Sequence, residues 1–332
     1  MTTTQSPARR RLGASGPTIF PFALGCMGMS GMYGPADEAE GIATIHEALE
    51  RGITLLDTGD FYGSGHNEIL IGRALKGRAD RALLSVKFGA LRTPGGGWSG
   101  FDARPAAVKN FLSYSLVRLG VDHVDIYRPS RLDPAVPIEE TIGAIAELVK
   151  AGYVRHIGLS EVGVETIRRA HAVHPITDLQ IEYSLVSRGP EKAIFPALGE
   201  LGIAVTAYGV LSRGLLSGSK PAAPSDLRAH LPRFAGENAA KNLSAIETLG
   251  RLAAEMGVTA SQLAIAWVMA KGENIIPVVG ARRRTQLAES LAATALQLAP
   301  AEIARIEAAL PPTAVAGERY QAQQMAHLDS EK

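Results

Sequence analysis

The sequence predicts a single (β/α)8 (TIM) barrel, and two observations favour this fold class. Short apolar runs alternate with helical patterns about eight times over 332 residues, with no linker midway. Such alternation implies a parallel sheet, either closed into a barrel or open and doubly wound. An open dinucleotide-binding sheet should carry G-x-G-x-x-G after an early strand. No such element follows a strand here, and Gly95-Gly96-Gly97 lacks the spacing.

The apolar runs are expected to be parallel strands that are buried on both faces. They are rich in Ile, Val and Leu instead of alternating in polarity, as strands of this kind are. The predicted strands are Phe20–Leu24, Thr54–Leu56, Ala82–Val86, Val124–Tyr127, His156–Leu159, Leu179–Ile181, Ile203–Ala207 and Ile275–Val279.

Apolar residues at helical spacing predict helices between these strands. The predicted helices are Ala36–Arg51, Arg104–Leu119, Pro137–Ala151, Val164–His174, Glu191–Leu201 and Asn238–Met256. Several end at a glycine, such as Gly52, Gly120 and Gly202, which suits a left-handed helix end.

We expect one domain over residues 1–332, with a core at 18–312 and a loosely packed polar tail at 313–332. Two long stretches, Ala90–Asp102 and Ser217–Gly236, show no pattern, and loops of that length are usually functional or mobile. Their aromatic residues would either line an apolar pocket or anchor the loops; these are Trp98, Phe101 and Phe234, and the second loop also carries Pro221, Pro224 and Pro232.

Composition restricts the partners and the compartment. The net charge is +1, without the basic patch that nucleic-acid binders carry. The chain contains one cysteine, Cys26, so an intrachain disulfide is impossible and a reducing cytoplasm is expected. Residues 1–11 lack the apolar core of a signal peptide, and no stretch approaches the roughly 20 apolar residues of a membrane span. We therefore expect a cytoplasmic protein bound to neither membrane nor nucleic acid. Its oligomeric state is not predicted.

Three residues with reactive side chains follow neighbouring strands. Asp57 ends one strand, Tyr62 lies in the turn after it, and Lys87 ends the next. Barrel active sites lie at these strand ends, and a buried lysine needs a partner such as Asp57. The ammonium would lower the pKa of Tyr62 and make the phenol a proton donor near neutral pH. A purely structural ion pair beside an aromatic ring is the alternative. No metal-ligand spacing occurs among the histidines and acids.

Several ordered segments resemble the aldo-keto reductase family over Leu24 to about Leu310. They are Asp57-Thr58-Gly59-Asp60-Phe61-Tyr62-Gly63-Ser64-Gly65-His66-Asn67-Glu68, Ser85-Val86-Lys87-Phe88-Gly89, Val121–Glu140, Gly158-Leu159-Ser160, Gln180-Ile181-Glu182-Tyr183-Ser184, Ala207-Tyr208 through Arg213-Gly214-Leu215-Leu216, and Pro277-Val278-Val279-Gly280-Ala281-Arg282 with Gln286-Leu287.

The resemblance implies a role for each matching residue. Tyr62 would be the general acid of carbonyl reduction, Lys87 would lower its pKa, and Asp57 would hold Lys87. Tyr208 would stack on a nicotinamide ring whose carboxamide bonds Ser160 and Gln180. Gly209, Val210, Leu211 and Arg213 would wrap the pyrophosphate. The other implied NADPH/NADP+ contacts are Gly25, Met27, Asp57, Gly280, Arg282, Gln286 and Ser290.

The run Arg282-Arg283-Arg284 fits the extra phosphate of NADPH, because a guanidinium matches a phosphate in geometry and charge. Which of the three arginines would make the contact is left open. An arginine-rich helix start that faces solvent is the alternative.

The sequence departs from the family at three positions. Ser130 stands where the family has a histidine that orients the substrate carbonyl, and serine donates one hydrogen bond without carrying charge. Glu161 replaces the asparagine usual after Ser160, and Ser290 replaces an asparagine that contacts adenine. These changes affect the expected rate and substrate range more than the fold.

Two functions follow from these observations. The first is an NADPH-dependent reductase of small aldehydes or ketones, reversible as an alcohol dehydrogenase. The second is a nucleotide-binding regulatory or interaction subunit with weak or no catalysis, which the Ser130 change makes conceivable. The sequence does not identify the substrate.

Overall fold

A computed structural model describes residues 7–221 and 226–332 and contains a closed barrel of eight parallel strands. In chain order the strands are β1 Ala23–Gly25, β2 Leu55–Gly59, β3 Leu83–Phe88, β4 Val124–Pro129, β5 Val154–Ser160, β6 Ile176–Glu182, β7 Ala204–Tyr208 and β8 Ile275–Gly280. Each pairs with the next, and β8 pairs with β1 to close the ring. The predicted fold class is confirmed.

The helices surround this barrel. They are α1 Glu38–Glu50, α2 His66–Leu75, α3 Pro105–Leu119, α4 Ile138–Lys150, α5 Val164–Val173, α6 Ile194–Leu201, α7 Gly236–Glu255, α8 Ala260–Ala270, α9 Arg284–Ala292, α10 Pro300–Ala309 and α11 Ala322–Met325. α4 shows why they pack here: Ile138, Ile142 and Ile145 are buried at helical spacing. Asp37 caps α1 by accepting a hydrogen bond from the backbone N–H of Glu40.

Alternate residues of each strand face the barrel interior and form layers. The deepest layer is apolar and contains Leu55, Ile126, Ala204 and Ile276. Two residues further along three of these strands come Asp57, Arg128 and Thr206, all buried. The interior therefore changes from apolar to polar toward the carboxyl ends of the strands.

A short hairpin closes the opposite end of the barrel. Arg10–Arg11 pairs with Thr18–Ile19, and the side chains of Leu12 and Ile19 join the deepest apolar layer. Arg10 donates hydrogen bonds to the carbonyls of Met269, Gly272 and Ile275. The carboxyl end of the strands is the end that this hairpin leaves uncovered.

The two stretches without a pattern contain more structure than we expected. Ala90–Arg92 and Trp98–Phe101 form an antiparallel hairpin. In the second stretch Leu227–His230 and Pro232–Phe234 are 3-10 turns, while Pro224 lies outside the described residues. Of the aromatics, Trp98 is 43% exposed and lies edge-on to Phe61, with the ring centroids 5.7 Å apart. Phe101 contacts His327, and Phe234 lies beside Arg228.

The tail beyond residue 312 makes more contacts than its polar composition suggested. Arg319 and Leu328 are buried, and Asp329 accepts hydrogen bonds from the Gly163 backbone and the Thr166 hydroxyl. The physical reason is that carboxylates and donors buried at the barrel mouth need partners, which the tail supplies.

Among the described residues no single helix is long and apolar enough to cross a bilayer. α7 and α8 meet that test only together, with an 85° bend between them.

Candidate active site at the carboxyl end of the barrel

Asp57 and Lys87 form a buried ion pair in the centre of the barrel mouth. Lys87 Nζ lies 2.5 Å from Asp57 Oδ1, and both side chains are less than 10% exposed. The other carboxylate oxygen accepts hydrogen bonds from Ser85 Oγ at 2.9 Å and Gln180 Nε2 at 2.7 Å. Burial lowers the pKa of Lys87, and Asp57 opposes that shift. The pair that the sequence predicted is therefore formed.

Tyr62 lies over this pair in the turn between β2 and α2. Lys87 Nζ is 5.2 Å from the centroid of the Tyr62 ring, and the tyrosine is 8% exposed. Burial, followed by the charge of Asp57, raises the pKa of Tyr62 well above its usual value. We expected a lowered pKa. The direction is opposite because burial and the Asp57 carboxylate outweigh the effect that we expected from the Lys87 ammonium.

Ser130 follows β4 and is held there by a hydrogen bond from its backbone N–H to the Phe88 carbonyl at 2.9 Å. Its side chain is 3% exposed, and the hydroxyl oxygen has no partner among the described residues. An unpartnered buried hydroxyl is costly unless a ligand or a water bonds it.

The backbone takes unusual conformations around the site. Positive φ occurs at four described non-glycine residues, namely Ser64, Glu161, Ser212 and Arg213. They lie in the loops after β2, β5 and β7. Such residues cost energy and cluster at functional sites.

Ser160 and Gln180 lie side by side on β5 and β6, where they are register partners. Ser160 Oγ is buried and unpartnered, as is Ser130 Oγ. Gln180 uses its amide N–H on Asp57, which leaves the amide oxygen as its acceptor. The two predicted carboxamide contacts are therefore together.

The loop after β7 carries five of the predicted cofactor contacts. Tyr208 is half-buried at the strand end, with Gly209, Val210, Leu211 and Arg213 next to it in sequence. The guanidinium of Arg213 is already engaged, 2.8 Å from Glu182 Oε2. The guanidinium is thus already held in place, and any contact with a pyrophosphate would use its remaining N–H groups.

The remaining predicted cofactor contacts lie where β8 meets β1. Gly280 and Gly25 are register partners, so no side chain fills the edge between them, and Met27 begins the turn after β1. Gln286 is exposed on α9 and its side-chain oxygen accepts from the Arg282 backbone, while Ser290 is buried one turn on. Together these residues follow the edge between β8 and β1 to the start of α9.

The three arginines at the start of α9 have different environments. Within residues 7–221 and 226–332, Arg282 donates only to backbone carbonyls, those of Tyr33, Gly34 and Pro35. Arg284 forms an ion pair with Glu40, and Arg283 is exposed. Arg282 is the half-buried one of the three.

Sequence reasoning missed the tail residues that reach the site. Arg319 contacts both oxygens of Glu161, at 2.8 and 2.7 Å, and holds the pKa of Glu161 well below its usual range despite burial. The hydroxyl of Tyr320 lies 2.9 Å from that of Tyr208 and 3.2 Å from Arg131 Nη2. The tail carries no periodic or motif signal that would have placed it here.

With this geometry described, comparison with known proteins identifies the family. The model of the aldo/keto reductase family matches residues 21–311. The chain belongs to this family. A curated relative, "Probable aldo-keto reductase 1" from Glycine max, is 40% identical over 316 residues, which cover 93% of this chain and 91% of the relative.

Solved structures agree with this assignment. The glycerol dehydrogenase from Gluconobacter oxydans is 29% identical, with a TM-score of 0.82 over 92% of this chain and 96% of that one. An aldo-keto reductase from Bacillus halodurans in its holo form is 27% identical, with a TM-score of 0.75 over 94% and 99%. This aldo-keto reductase is therefore an oxidoreductase of a family that acts on carbonyl compounds with nicotinamide cofactors.

Proposed function

We propose that this aldo-keto reductase uses NADPH to reduce a small aldehyde or ketone, with Tyr62 as the general acid, and that it acts in the cytoplasm. The observation that carries the proposal is the buried Asp57–Lys87 pair beneath the Tyr62 ring at the open end of the barrel. A purely structural ion pair would not require two unpartnered hydroxyls, Ser130 and Ser160, in the same cavity.

The residues at the carboxyl end of the barrel fit the cofactor. Ser160 Oγ and the amide oxygen of Gln180 would hold the nicotinamide carboxamide. Tyr208 would lie against the ring, with the loop Gly209–Arg213 beside the pyrophosphate. Arg282 forms no ion pair among the described residues, although the charge of Asp226 acts on it at longer range, so its guanidinium is available to a 2′-phosphate. A bound reduced nicotinamide supplies the hydride.

Tyr62 supplies the proton in this proposal. Its raised pKa keeps the phenol protonated throughout the neutral range. Asp57 orients Lys87, and the hydroxyl of Ser130 donates a hydrogen bond to the substrate oxygen. The hydride and the proton together convert the carbonyl into an alcohol.

The test is Tyr62→Phe, assayed by the absorbance of NADPH with an activated aldehyde. We expect a loss of about 10²–10⁴-fold in kcat, with NADPH affinity nearly unchanged by fluorescence titration. In the wild type, reduction should not decline through ionisation of Tyr62 below about pH 10. A variant that keeps more than a tenth of wild-type turnover would show that another group donates the proton. NADPH binding without turnover of any carbonyl would instead support a regulatory nucleotide-binding subunit.

A further inference from the structure

Arg131 differs from four other cations at the carboxyl end of the barrel. Lys87, Arg128, Arg213 and Arg319 each have a carboxylate partner. Arg131 is half-buried, and within the described residues no carboxylate lies at ion-pair distance from it. Its hydrogen bonds go to neutral oxygens, the Ser130 carbonyl at 2.6 Å and the Tyr320 hydroxyl at 3.2 Å.

A directed chain of hydrogen bonds shows what kind of atom occupies the position beside Arg131. Glu161 is ionised and can only accept, so Tyr208 donates to it, at 2.6 Å. The Tyr208 oxygen must then accept the proton of Tyr320, which in turn accepts from Arg131 Nη2. The Tyr320 hydroxyl oxygen therefore accepts a hydrogen bond from Arg131. A ligand oxygen in its place would accept the same bond.

The position of Arg131 connects it to the reaction. It directly follows Ser130, whose buried hydroxyl has no partner. The charge of Arg131 acts on Tyr62 and Lys87. Serine is also smaller than the histidine that the family resemblance leads us to expect at position 130, so it fills less of the site.

We propose that Arg131 binds an anionic group of the substrate, so that the enzyme prefers carbonyl compounds that carry a carboxylate or a phosphate. This inference rests on the proposed function and assigns its substrate class. A guanidinium without a carboxylate partner gains most from an anion, because the charge-assisted bond offsets the cost of its burial. The anion would displace the Tyr320 hydroxyl, so Tyr320 competes with the substrate.

The experiment compares matched substrates in matched variants. The pairs are 4-carboxybenzaldehyde with its methyl ester and glyceraldehyde 3-phosphate with glyceraldehyde, which separate carboxylate from phosphate. Arg131→Met should lower the ratio of kcat/KM within a preferred pair by about 10- to 100-fold. Arg131→Lys should restore part of it, because the charge remains without the planar fork. Tyr320→Phe should raise the ratio. Arg104→Met removes an exposed arginine paired with Asp102 and should leave the ratio unchanged.

A binding measurement keeps the inference testable without turnover. Calorimetry would measure binding of 4-(hydroxymethyl)benzoate to each variant, with and without NADP+, and unfolding curves would check that each variant is folded. Binding that Arg131→Met weakens about tenfold supports the inference, even if no carbonyl is reduced and the proposed function fails. Equal binding by the wild type and Arg131→Met overturns it. A wild type that reduces charged and neutral members of both pairs equally also overturns it and leaves the reductase function intact.

Discussion

Arg128 and Asp178 form an ion pair that is completely buried inside the barrel, beside Asp57 and Lys87. Arg128 Nη1 lies 3.0 Å from Asp178 Oδ2, and Arg128 also donates to Ser85, which in turn donates to Asp57. Gly158 makes the pair possible, because a Cβ there would lie 2.7 Å from Asp178 Oδ1. The orientation of Asp57 thus depends on residues that never contact a ligand.

The environment of Ser130 predicts the effect of substitutions at that position. The Ser130 hydroxyl has no internal partner, so Ser130→Ala should not destabilise the fold. The loss in kcat/KM should correspond to only about 0.5–1.5 kcal/mol of transition-state stabilisation, the value of one neutral hydrogen bond. Ser130→His should not simply raise activity, because the ring would fill space used by substrate or water. Steady-state kinetics on the best substrate tests both. If Ser130→Ala were as inactive as Tyr62→Phe, Ser130 would be a primary catalytic group.

Asp60 predicts a pH dependence of stability. Burial, and then the neighbouring Glu68, raises the pKa of Asp60 to about 7, although the Gly89 backbone and Arg118 oppose the shift. The unfolded chain releases this proton near pH 4 and the folded chain near pH 7, so the contribution to stability is present below pH 4 and is lost as pH rises to 7.

Asp60→Asn should therefore stabilise the protein relative to the wild type by an amount that grows from pH 4 to 7, reaching about 2–4 kcal/mol. Denaturant unfolding at several pH values measures the difference. Asp80→Asn, at an exposed aspartate, is the control. A difference that does not vary with pH would show that Asp60 is already ionised in the folded state.

At the residue scale the sequence could indicate Asp57, Lys87 and Ser130, because strand ends and ordered motifs locate them. It could not indicate Arg319 or Tyr320, since their position depends on how a tail without periodicity folds back over the mouth. Nor could it give the direction of the Tyr62 pKa, which is set by burial and by the charge of Asp57.

Among the elements, the tail makes the largest difference to how the site is built. Arg319 contacts Glu161, and its backbone carbonyl accepts from Arg213. Arg233 and Asn242 donate to the carbonyls of Gly317 and Ala316. Four loops or helices are thus joined through the four tail residues 316–319.

Arg319→Met should destabilise the protein by about 3 kcal/mol, because it leaves the buried Glu161 carboxylate without its main partner. Adding Glu161→Gln should recover part of the loss, since the unpaired charge is then removed. Arg305→Met is the matched control at an exposed pair with Glu255, where little change is expected. Chemical denaturation of the four proteins provides the values. Equal effects at Arg319 and Arg305 would mean that the tail does not depend on this ion pair.

The elements that were predicted well are those whose burial is uniform. β4 and α3 differ from the predicted ranges only at their ends, since apolar runs and a terminal glycine define them. The hairpin Ala90–Arg92 with Trp98–Phe101 was missed, because much of it is exposed and its strands have no alternating pattern.

For the molecule as a whole, barrel closure gathers the site from the entire chain. Register pairs Gly25 with both Asp57 and Gly280, so the first, second and last strands meet where the cofactor would lie. Residues from 25 to 320 therefore contribute to one cavity. A ligand that binds there should stabilise the whole domain, since it binds the folded chain and not the unfolded one.

This linkage tests the cofactor preference in the intact protein. NADPH should raise the thermal unfolding midpoint of the wild type more than NADH at equal concentration, because the contact of Arg282 with the extra phosphate is worth about 1.5–3 kcal/mol. Arg282→Met should remove that difference. Arg282→Met also removes hydrogen bonds to the loop at residues 33–35, and that loss would weaken the binding of NADPH and NADH alike. The NADH measurement therefore separates support of the loop from contact with the phosphate. Arg284→Met, at an arginine paired with Glu40, should keep the wild-type difference. Equal shifts by NADPH and NADH in the wild type would contradict the assignment of Arg282. If only Arg283→Met removed the difference between the two shifts, the phosphate contact would belong to Arg283.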